Sequence, residues 1–211
     1  MVKRRNVVER VPVTRALIAS VAADLIRAEG VEALTMRIVA AKLGVSAMAL
    51  YHHVEDKDEI IRLVGDDMLA GIELPDTDSG DWRELLTTTA FAAHDALLSM
   101  PGMTSVLLTH KLLPNARRIL TFCLRQFERA GLSRAEANVA YAGLHQLSVG
   151  RLLIETGANF AVHPRLSDDE EHAMYMKALH GKESFEQAMS AQLDHHERSA
   201  KDRKAPPKPR R

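Results

Sequence analysis

The 211-residue sequence lacks the signals of a secreted or membrane-embedded protein. Its single cysteine, Cys123, excludes an intramolecular disulfide framework and a cysteine-based zinc site. No apolar run approaches the roughly 18 residues of a membrane-spanning helix. The basic N-terminus is not followed by the apolar core of a signal peptide. We therefore expect a cytoplasmic protein that does not enter a membrane.

The sequence also lacks the short motifs of common catalytic centres. GxSxG, HExxH, the P-loop and GxGxxG are all missing, and Cys123 lies inside a predicted helix without a partner nearby in the sequence. The histidine pairs His52–His53 and His195–His196 are adjacent rather than four residues apart, which disfavours chelation of a metal. We therefore expect a protein that is not an enzyme, with no metal and no cofactor.

The net charge of zero hides an uneven distribution of charged side chains. Lys and Arg total 28, as do Asp and Glu. Residues 1–15 nevertheless hold five basic side chains against Glu9, and residues 198–211 hold seven against Asp202. The residues between are therefore acidic overall. Basic, proline-containing ends are usually solvated, and we predict a disordered tail over residues 200–211.

Helical spacing of apolar residues recurs along the chain and strand patterning is nearly absent, which predicts an all-α fold. A first helix is expected over about 14–29, ended by Gly30, a second over 35–43 and a third over 46–53. Helices this short are unstable alone in water, so we expect one trihelical unit. Its predicted core consists of Leu17, Val21, Leu25, Val39, Leu43, Val45, Leu50 and Val54.

Two small residues in this unit indicate a helix-turn-helix. Ala40 lies where two helices that meet at a steep angle need a small side chain, and Gly44 lies where the chain turns sharply. The last helix of a helix-turn-helix enters the major groove of DNA. Spacing alone does not decide the function, because similar helical corners occur in proteins that bind no DNA.

Longer helices are predicted after the trihelical unit. Asp56 and Glu59 form a capping-box-like start to a connecting helix that reaches about residue 72. The turn-rich segment PDTDSGD, residues 75–81, is the candidate domain boundary. Further helices are expected over about 82–100, 104–112, 115–130, 133–157, 167–180 and 183–199.

The segment LTMRIVAAKLGVSAMALYHHVEDKDEII, residues 34–61, resembles the DNA-binding signature of the TetR family of bacterial transcriptional repressors. The resemblance covers about residues 15–63. It implies a three-helix helix-turn-helix domain on a larger helical bundle that binds a ligand and dimerises. On this basis the N-terminal arm and DNA-binding domain span 1–57, the connecting helix and linker 58–78, and the ligand-binding and dimerisation domain 79–199.

The resemblance also places individual residues at the DNA. Arg37 falls in the first turn of the second helix, where free amides and a guanidinium favour a phosphate. Ala47 and Met48 offer only apolar contacts, so base readout is expected from Arg37, Ser46 and His52. The predicted DNA-binding residues are Thr35, Met36, Arg37, Ser46, Ala47, Met48, Ala49, Tyr51, His52, His53 and Lys57.

Some of these assignments leave alternatives open. Tyr51 and His53 either contact phosphate or pack inside the domain. The N-terminal arm either reaches the minor groove or adds only nonspecific attraction to DNA.

A single recognition helix covers too few base pairs for useful specificity, so we expect a homodimer that reads a palindromic operator. The predicted dimer interface includes three glycines at seven-residue spacing, and its members are Gly143, Gly150, Gly157, Met189 and Leu193. Close approach of a second helix would offset the cost of about 1 kcal/mol for each glycine inside a helix. The alternative is that the glycines accommodate a bulky neighbour within the subunit.

The body is also expected to hold a small, largely apolar effector whose identity the sequence does not reveal. Polar side chains on otherwise apolar helices, together with nearby Phe and Met residues, provide the candidates. Each could equally be a structural residue. The predicted pocket residues are Thr88, Phe91, His94, Met103, Phe122, Phe127, Tyr141, His145 and Arg151.

These observations predict a ligand-responsive transcriptional regulator. We expect a repressor that binds double-stranded operator DNA and is released by its effector. The alternative is a helical protein-interaction module with only nonspecific DNA affinity, and that affinity would collapse as salt is added.

Overall fold

The computed structural model describes residues 12–104, 113–156 and 169–204, without the side chains of 202–204. In these ranges the chain is helical and contains no strand, which confirms the all-α prediction. None of the described helices is long and apolar enough to cross a membrane. The helices are α1 (Arg15–Glu29), α2 (Met36–Lys42), α3 (Ala47–Tyr51), α4 (Lys57–Ala70), α5 (Trp82–Leu98), α6 (Pro114–Arg129), α7 (Arg134–Thr156), α8 (Glu170–His180) and α9 (Lys182–Lys204), with a 3-10 turn at Val31–Ala33.

The predicted helix starts are confirmed where a side chain caps the helix. Thr14, Thr35, Ser46, Asp56 and Asp81 each accept hydrogen bonds from backbone amides of the first turn that follows. Such caps are local in the sequence, which is why the sequence predicts them well.

The later helix boundaries differ from the expectation. Residues 105–112, most of a short predicted helix, lie outside the described residues, as does the start of the helix predicted from residue 167. Asp169 caps α8 by accepting from the amides of Glu171 and His172. The last helix continues to Lys204 and buries Ala200, so helix replaces the disorder predicted for residues 200–204.

The first hydrophobic core joins α1, α2 and α3. Leu25, Val39, Leu50 and Val54 are buried in it as predicted. Leu43 and Val45 are only half-buried against it. Leu17 and Val21 are also half-buried, and the inner face of α1 is made instead by Ile18, Ala22, Leu25 and Ile26. The predicted core was therefore right at Leu25 of α1 and wrong at Leu17 and Val21.

Helix α4 is shared between two cores. Its first half contributes Ile60, Ile61 and Val64 to the first core, and Leu69 belongs with Ile72 to the core of the body. The domain boundary predicted between residues 57 and 58 therefore cuts through a packed unit. The first two turns of α4 belong structurally to the N-terminal helical unit.

A tight bend after α5 forms a second connection between the two parts. The carbonyl of Pro101 accepts a hydrogen bond of 3.0 Å from the amide of Val31. Gly102 has φ of +83°, and a Cβ there would lie 2.5 Å from Cγ1 of Val31. Met103, a predicted pocket residue, is buried in the first core and does not reach the body's interior. That pocket assignment is wrong.

The body core is built by α5, α6, α7 and α9. Its largest fully buried side chain is Phe127, and Leu86, Leu144, Phe185 and Leu193 pack in the same cluster. Three of these helices, α5, α6 and α7, line the cavity described below.

Candidate nucleic-acid interface and ligand cavity

The surface formed by α2 and α3 carries most of the predicted DNA-binding residues. Gly44 makes the turn between the helices with φ of +68°. Leu50 fixes the inner face of α3 in the first core. On the outer face Met48 is 71% exposed and Tyr51 is 50% exposed. The short helix therefore projects its other side away from the protein.

The predicted DNA-binding residues divide by exposure. Those that are exposed are Thr35, Arg37, Ser46, Met48, Tyr51 and His52, and those that are half-buried are Met36, Ala47, Ala49, His53 and Lys57. Met36 and Ala47 pack against the first core, which limits what either can offer to DNA. Ile38, an exposed apolar side chain of α2, also lies on this surface and was not predicted there. The only indication in the sequence was that Ile38 is apolar and is not part of the predicted core.

Two hydroxyls on this surface both cap a helix and remain able to donate. Oγ1 of Thr35 accepts from the amide of Ile38 at 3.2 Å, and Oγ of Ser46 accepts from the amide of Ala49 at 3.1 Å. Each hydroxyl still has its own proton, because capping uses a lone pair of the oxygen. Both can therefore bind a phosphate or a base acceptor without uncapping the helix.

The C-terminal end of α3 is tied to α1 and α4 through Arg15. Its guanidinium donates to the carbonyl of His53 at 3.1 Å and forms an ion pair with Glu59. The amide of Glu55 donates to the same carboxylate at 2.5 Å. This backbone hydrogen bond, more than the charge of Arg15, lowers the pKa of Glu59. The arrangement fixes the orientation of α3 on the first core.

The body encloses a cavity of about 360 Å³ between α4, α5, α6 and α7. Most of its lining is aliphatic. The polar lining residues are Thr89, His94, Thr104, Cys123, Tyr141, His145 and Ser148. Within the described ranges no group of three or more His, Cys, Asp or Glu side chains could hold a metal ion.

Three of the nine predicted pocket residues, His94, Tyr141 and His145, line this cavity. Thr88 lies on the exposed side of α5, and its neighbour Thr89 faces the cavity instead. Successive residues of a helix point about 100° apart, so a one-residue error changes the face.

The other aromatic and charged candidates have structural roles. Phe91 packs edge-on against Phe185, with ring centroids 5.8 Å apart. Phe122 and Phe127 belong to the body core. Arg151 binds the carboxylate of Glu155 behind the cavity wall. None of the four lines the cavity, so these pocket assignments are wrong.

The lining residues that the sequence analysis missed on α7 follow a helical stripe. Ser148 and Leu152 continue the spacing that begins with Tyr141 and His145. This periodicity was a usable signal. No such pattern identifies Cys123 on α6, because only the packing of α6 against α7 brings this residue to the cavity.

Three titratable groups of the cavity, Cys123, Tyr141 and His145, are neutral at pH 7. Burial raises the pKa of the Cys123 thiol to about 12 and also raises the pKa of Tyr141. Partial burial lowers the pKa of His145, whose side chain also reaches solvent. Burial has this effect because it disfavours the charged form of each group.

The structure contradicts most of the predicted dimer interface. Met189 and Leu193 are buried within the subunit. A Cβ on Gly143 would lie 2.4 Å from Nε2 of Gln192, a residue of the same chain. That Nε2 donates to the carbonyl of Ala140 at 3.1 Å. Gly143 therefore serves the alternative role, close contact within the subunit, and Gly157 lies outside the described residues.

The opposite face of α7 is open. Val139 is 71% exposed and Leu153 is 46% exposed, and Ala142 and Gln146 are exposed between them. A Cβ on Gly150 would meet no atom within 4 Å. The spacing of these five residues is that of a single helical stripe.

Comparison with known proteins adds to this geometry. Residues 5–64 match the family described as bacterial regulatory proteins, tetR family. An HTH-type transcriptional regulator of Saccharopolyspora erythraea is 29% identical over 144 residues, which cover 68% of this chain and 61% of that protein. The HTH-type transcriptional repressor DrrR1 of Streptomyces coeruleorubidus is 39% identical over 74 residues, covering 35% of this chain and 27% of DrrR1. The matched region thus spans less than two thirds of either relative.

A solved structure extends the likeness to the body. The TetR family protein ActR of Streptomyces coelicolor, in complex with (S)-DNPA, has a TM-score of 0.74 and 21% sequence identity. The match covers 90% of this chain and 100% of that chain. At this identity the likeness shows the fold, including the helical body that follows the helix-turn-helix.

Proposed function

We propose that this chain, which belongs through its N-terminal domain to the tetR family of bacterial regulatory proteins, is a ligand-responsive transcriptional repressor. It binds a palindromic operator as a homodimer. A small, largely apolar effector in the body releases it from the DNA.

The outward face of α3 is the observation that carries this proposal. A five-residue helix with one face fixed in a core and the other exposed suits insertion into a groove. Arg37 and the hydroxyls of Thr35 and Ser46 lie exposed beside it, where each can contact the DNA. Met48 and Tyr51 offer apolar surface, Met48 for instance to the methyl group of thymine.

The exposed face of α7 supports the homodimer. Solvent-exposed apolar side chains in one continuous stripe usually mark an interaction surface. Small residues at 142 and 150 allow a second helix to approach closely. We assign this stripe, rather than Met189 and Leu193, to contact with a second copy of the chain.

The cavity supports effector binding. Its volume of about 360 Å³ lies within the range of small-molecule sites, and its walls are mainly aliphatic. ActR has the same fold, and two of its solved structures are complexes, one with (S)-DNPA and one with actinorhodin. An effector bound here would shift the population toward a dimer conformation in which the spacing of the two recognition helices no longer matches the operator.

A gel-shift assay with DNA flanking the chain's own gene tests the proposal. We expect a specific shift that weakens at least about tenfold when Arg37 and Tyr51 are both replaced by Ala, since each lost DNA contact costs about 1–3 kcal/mol. Arg27→Ala is the matched control, because Arg27 is exposed on α1, away from α3, and pairs with Asp24. Unchanged affinity in the double variant would contradict the proposed surface. Affinity that is independent of sequence and lost with salt would instead favour the protein-interaction module.

A further inference from the structure

Three polar atoms on residues of the cavity wall have no hydrogen-bond partner in the described part of the chain. They are Oγ1 of Thr89, Nδ1 of His94 and Nε2 of His94, the last of which lies beside a carboxylate. Both side chains line the cavity, and they are only 2% and 5% exposed. Buried polar groups are nearly always satisfied, so an orphan on a cavity wall marks a place where a ligand or water binds.

The half-buried ion pair of Arg151 and Glu155, behind the wall, determines which nitrogen of His94 carries a proton. Nε2 of His94 lies 2.5 Å from Oε2 of Glu155, in a bent arrangement rather than a linear hydrogen bond. The other carboxylate oxygen of Glu155 pairs with Arg151, which also donates to the carbonyl of Gly181 at 3.1 Å. A carboxylate this close to Nε2 would repel a bare lone pair, so the proton stays on Nε2. Because Arg151 already balances the charge of Glu155, one ring proton suffices, and Nδ1 is then a hydrogen-bond acceptor.

The rest of the wall offers no counter-charge to an ionic ligand. No Lys or Arg is among the described residues that line the cavity. Cys123, Tyr141 and His145 are neutral there, and the guanidinium of Arg151 is already engaged by Glu155. A carboxylate or phosphate would lose its hydration without finding a cation, which is costly.

From this geometry we propose that the effector is an uncharged, largely apolar molecule whose hydroxyl group donates a hydrogen bond to Nδ1 of His94. The inference rests on the proposed role of the cavity as the effector site. The hydroxyl of Thr89 adds a second polar point on the same wall, and it can either donate or accept.

Three matched aromatic probes test the class of ligand by direct binding to the full-length protein. They are 9-phenanthrol, 9-methoxyphenanthrene and phenanthrene-9-carboxylate, measured by isothermal calorimetry or by ligand fluorescence. We expect 9-phenanthrol to bind about tenfold or more tightly than its methyl ether, because the ether leaves Nδ1 unpaired. The carboxylate should bind most weakly. Equal binding of phenol and ether, tightest binding of the carboxylate, or binding of none of the three would overturn the proposal.

Two variants assign the preference to His94. In His94→Gln the amide NH₂ can still donate to Glu155, but no atom replaces Nδ1, so the ratio of phenol to ether affinity should fall to about one. Ser148→Ala is the matched control, because that hydroxyl already donates to the carbonyl of Leu144 at 2.9 Å. It should leave the ratio unchanged. Both affinities in the ratio are measured on the same variant, so partial unfolding of that variant does not change the ratio. A phenol preference that survives in His94→Gln would refute the assignment.

DNA binding without any probe separates this inference from the proposed function. A wild-type protein that shifts its operator but shows no phenol preference would overturn only the effector class. Loss of the specific shift in the wild type would overturn the proposed function itself.

Discussion

At the scale of single residues, Glu59 links the stability of the DNA-binding domain to pH. Its carboxylate accepts a hydrogen bond from the amide of Glu55 and forms an ion pair with Arg15. The pKa of Glu59 therefore lies below the ordinary value of 4.5. The charged form is therefore favoured in the folded protein. Its stabilising effect is complete above about pH 4.5 and fades as the pH falls through the lowered pKa.

We therefore predict that Glu59→Gln lowers the free energy of unfolding at pH 7 by about 1 kcal/mol, a typical magnitude for a capping interaction. The difference from wild type should shrink as the pH is lowered below 4.5, the ordinary value for this carboxyl group. Chemical denaturation at several pH values measures both effects. Glu73→Gln, at an exposed glutamate outside this cluster, is the control and should lower the free energy of unfolding at pH 7 by less than Glu59→Gln does. A difference that is constant with pH would contradict the role of the charge.

Gly102 is a second residue whose environment makes a clear prediction. Ala at this position would be strained by the positive φ and would also clash with Val31. We expect Gly102→Ala to lower the free energy of unfolding by about 2–4 kcal/mol, from conformational strain and overpacking together. Thermal unfolding followed by circular dichroism provides the measurement.

The Gly80→Ala variant separates the backbone strain from the clash with Val31, the two causes of the loss expected for Gly102→Ala. Gly80 has a similar φ of +72°, but a Cβ there meets no atom within 4 Å, so only the backbone strain applies. Val31→Ala should partly restore the Gly102→Ala variant by making room for the new methyl group. Equal losses at the two glycines would show that contact with Val31 is unimportant.

At the scale of helices, the sequence predicted starts and ends better than faces. Thr35 and Ser46 cap the helices that they were expected to cap, because a cap and its amide are three residues apart. The choice between Thr88 and Thr89, or between Leu17 and Ile18, depends on where another helix packs. That information is not local, and an error of one residue changes the face.

The same limit explains the wrong interface residues. Met189 and Leu193 are apolar and correctly spaced on one helix face, and this pattern fits a subunit core and a dimer contact equally well. Exposure decides between them, and it is known only from the fold. The predicted DNA-binding residues come together on the surface of α2 and α3 because their motif is short and continuous in the sequence.

At the scale of the whole molecule, the exposed stripe of α7 makes a prediction about assembly. We expect Val139→Arg to convert the dimer to a monomer, because it places a charge in the centre of an apolar contact. Light scattering coupled to gel filtration measures the mass. Affinity for the palindromic operator should fall by at least about tenfold, since one half-site then binds without the other.

Met174→Arg is the control for this prediction. Met174 is also an exposed apolar residue, but it lies on α8, outside the stripe. It should leave both the mass and the operator affinity unchanged. A dimer that persists in Val139→Arg and dissociates in Met174→Arg would move the interface to α8.

Helix α4 also determines how this protein can be recombined with others. Ile60, Ile61 and Val64 complete the core on which the recognition helix is mounted. A fragment that stops at residue 57 would lack those three side chains and would expose the apolar core that they cover. A chimera that joins this helix-turn-helix domain to the ligand-binding domain of another protein must therefore place its fusion point beyond Val64.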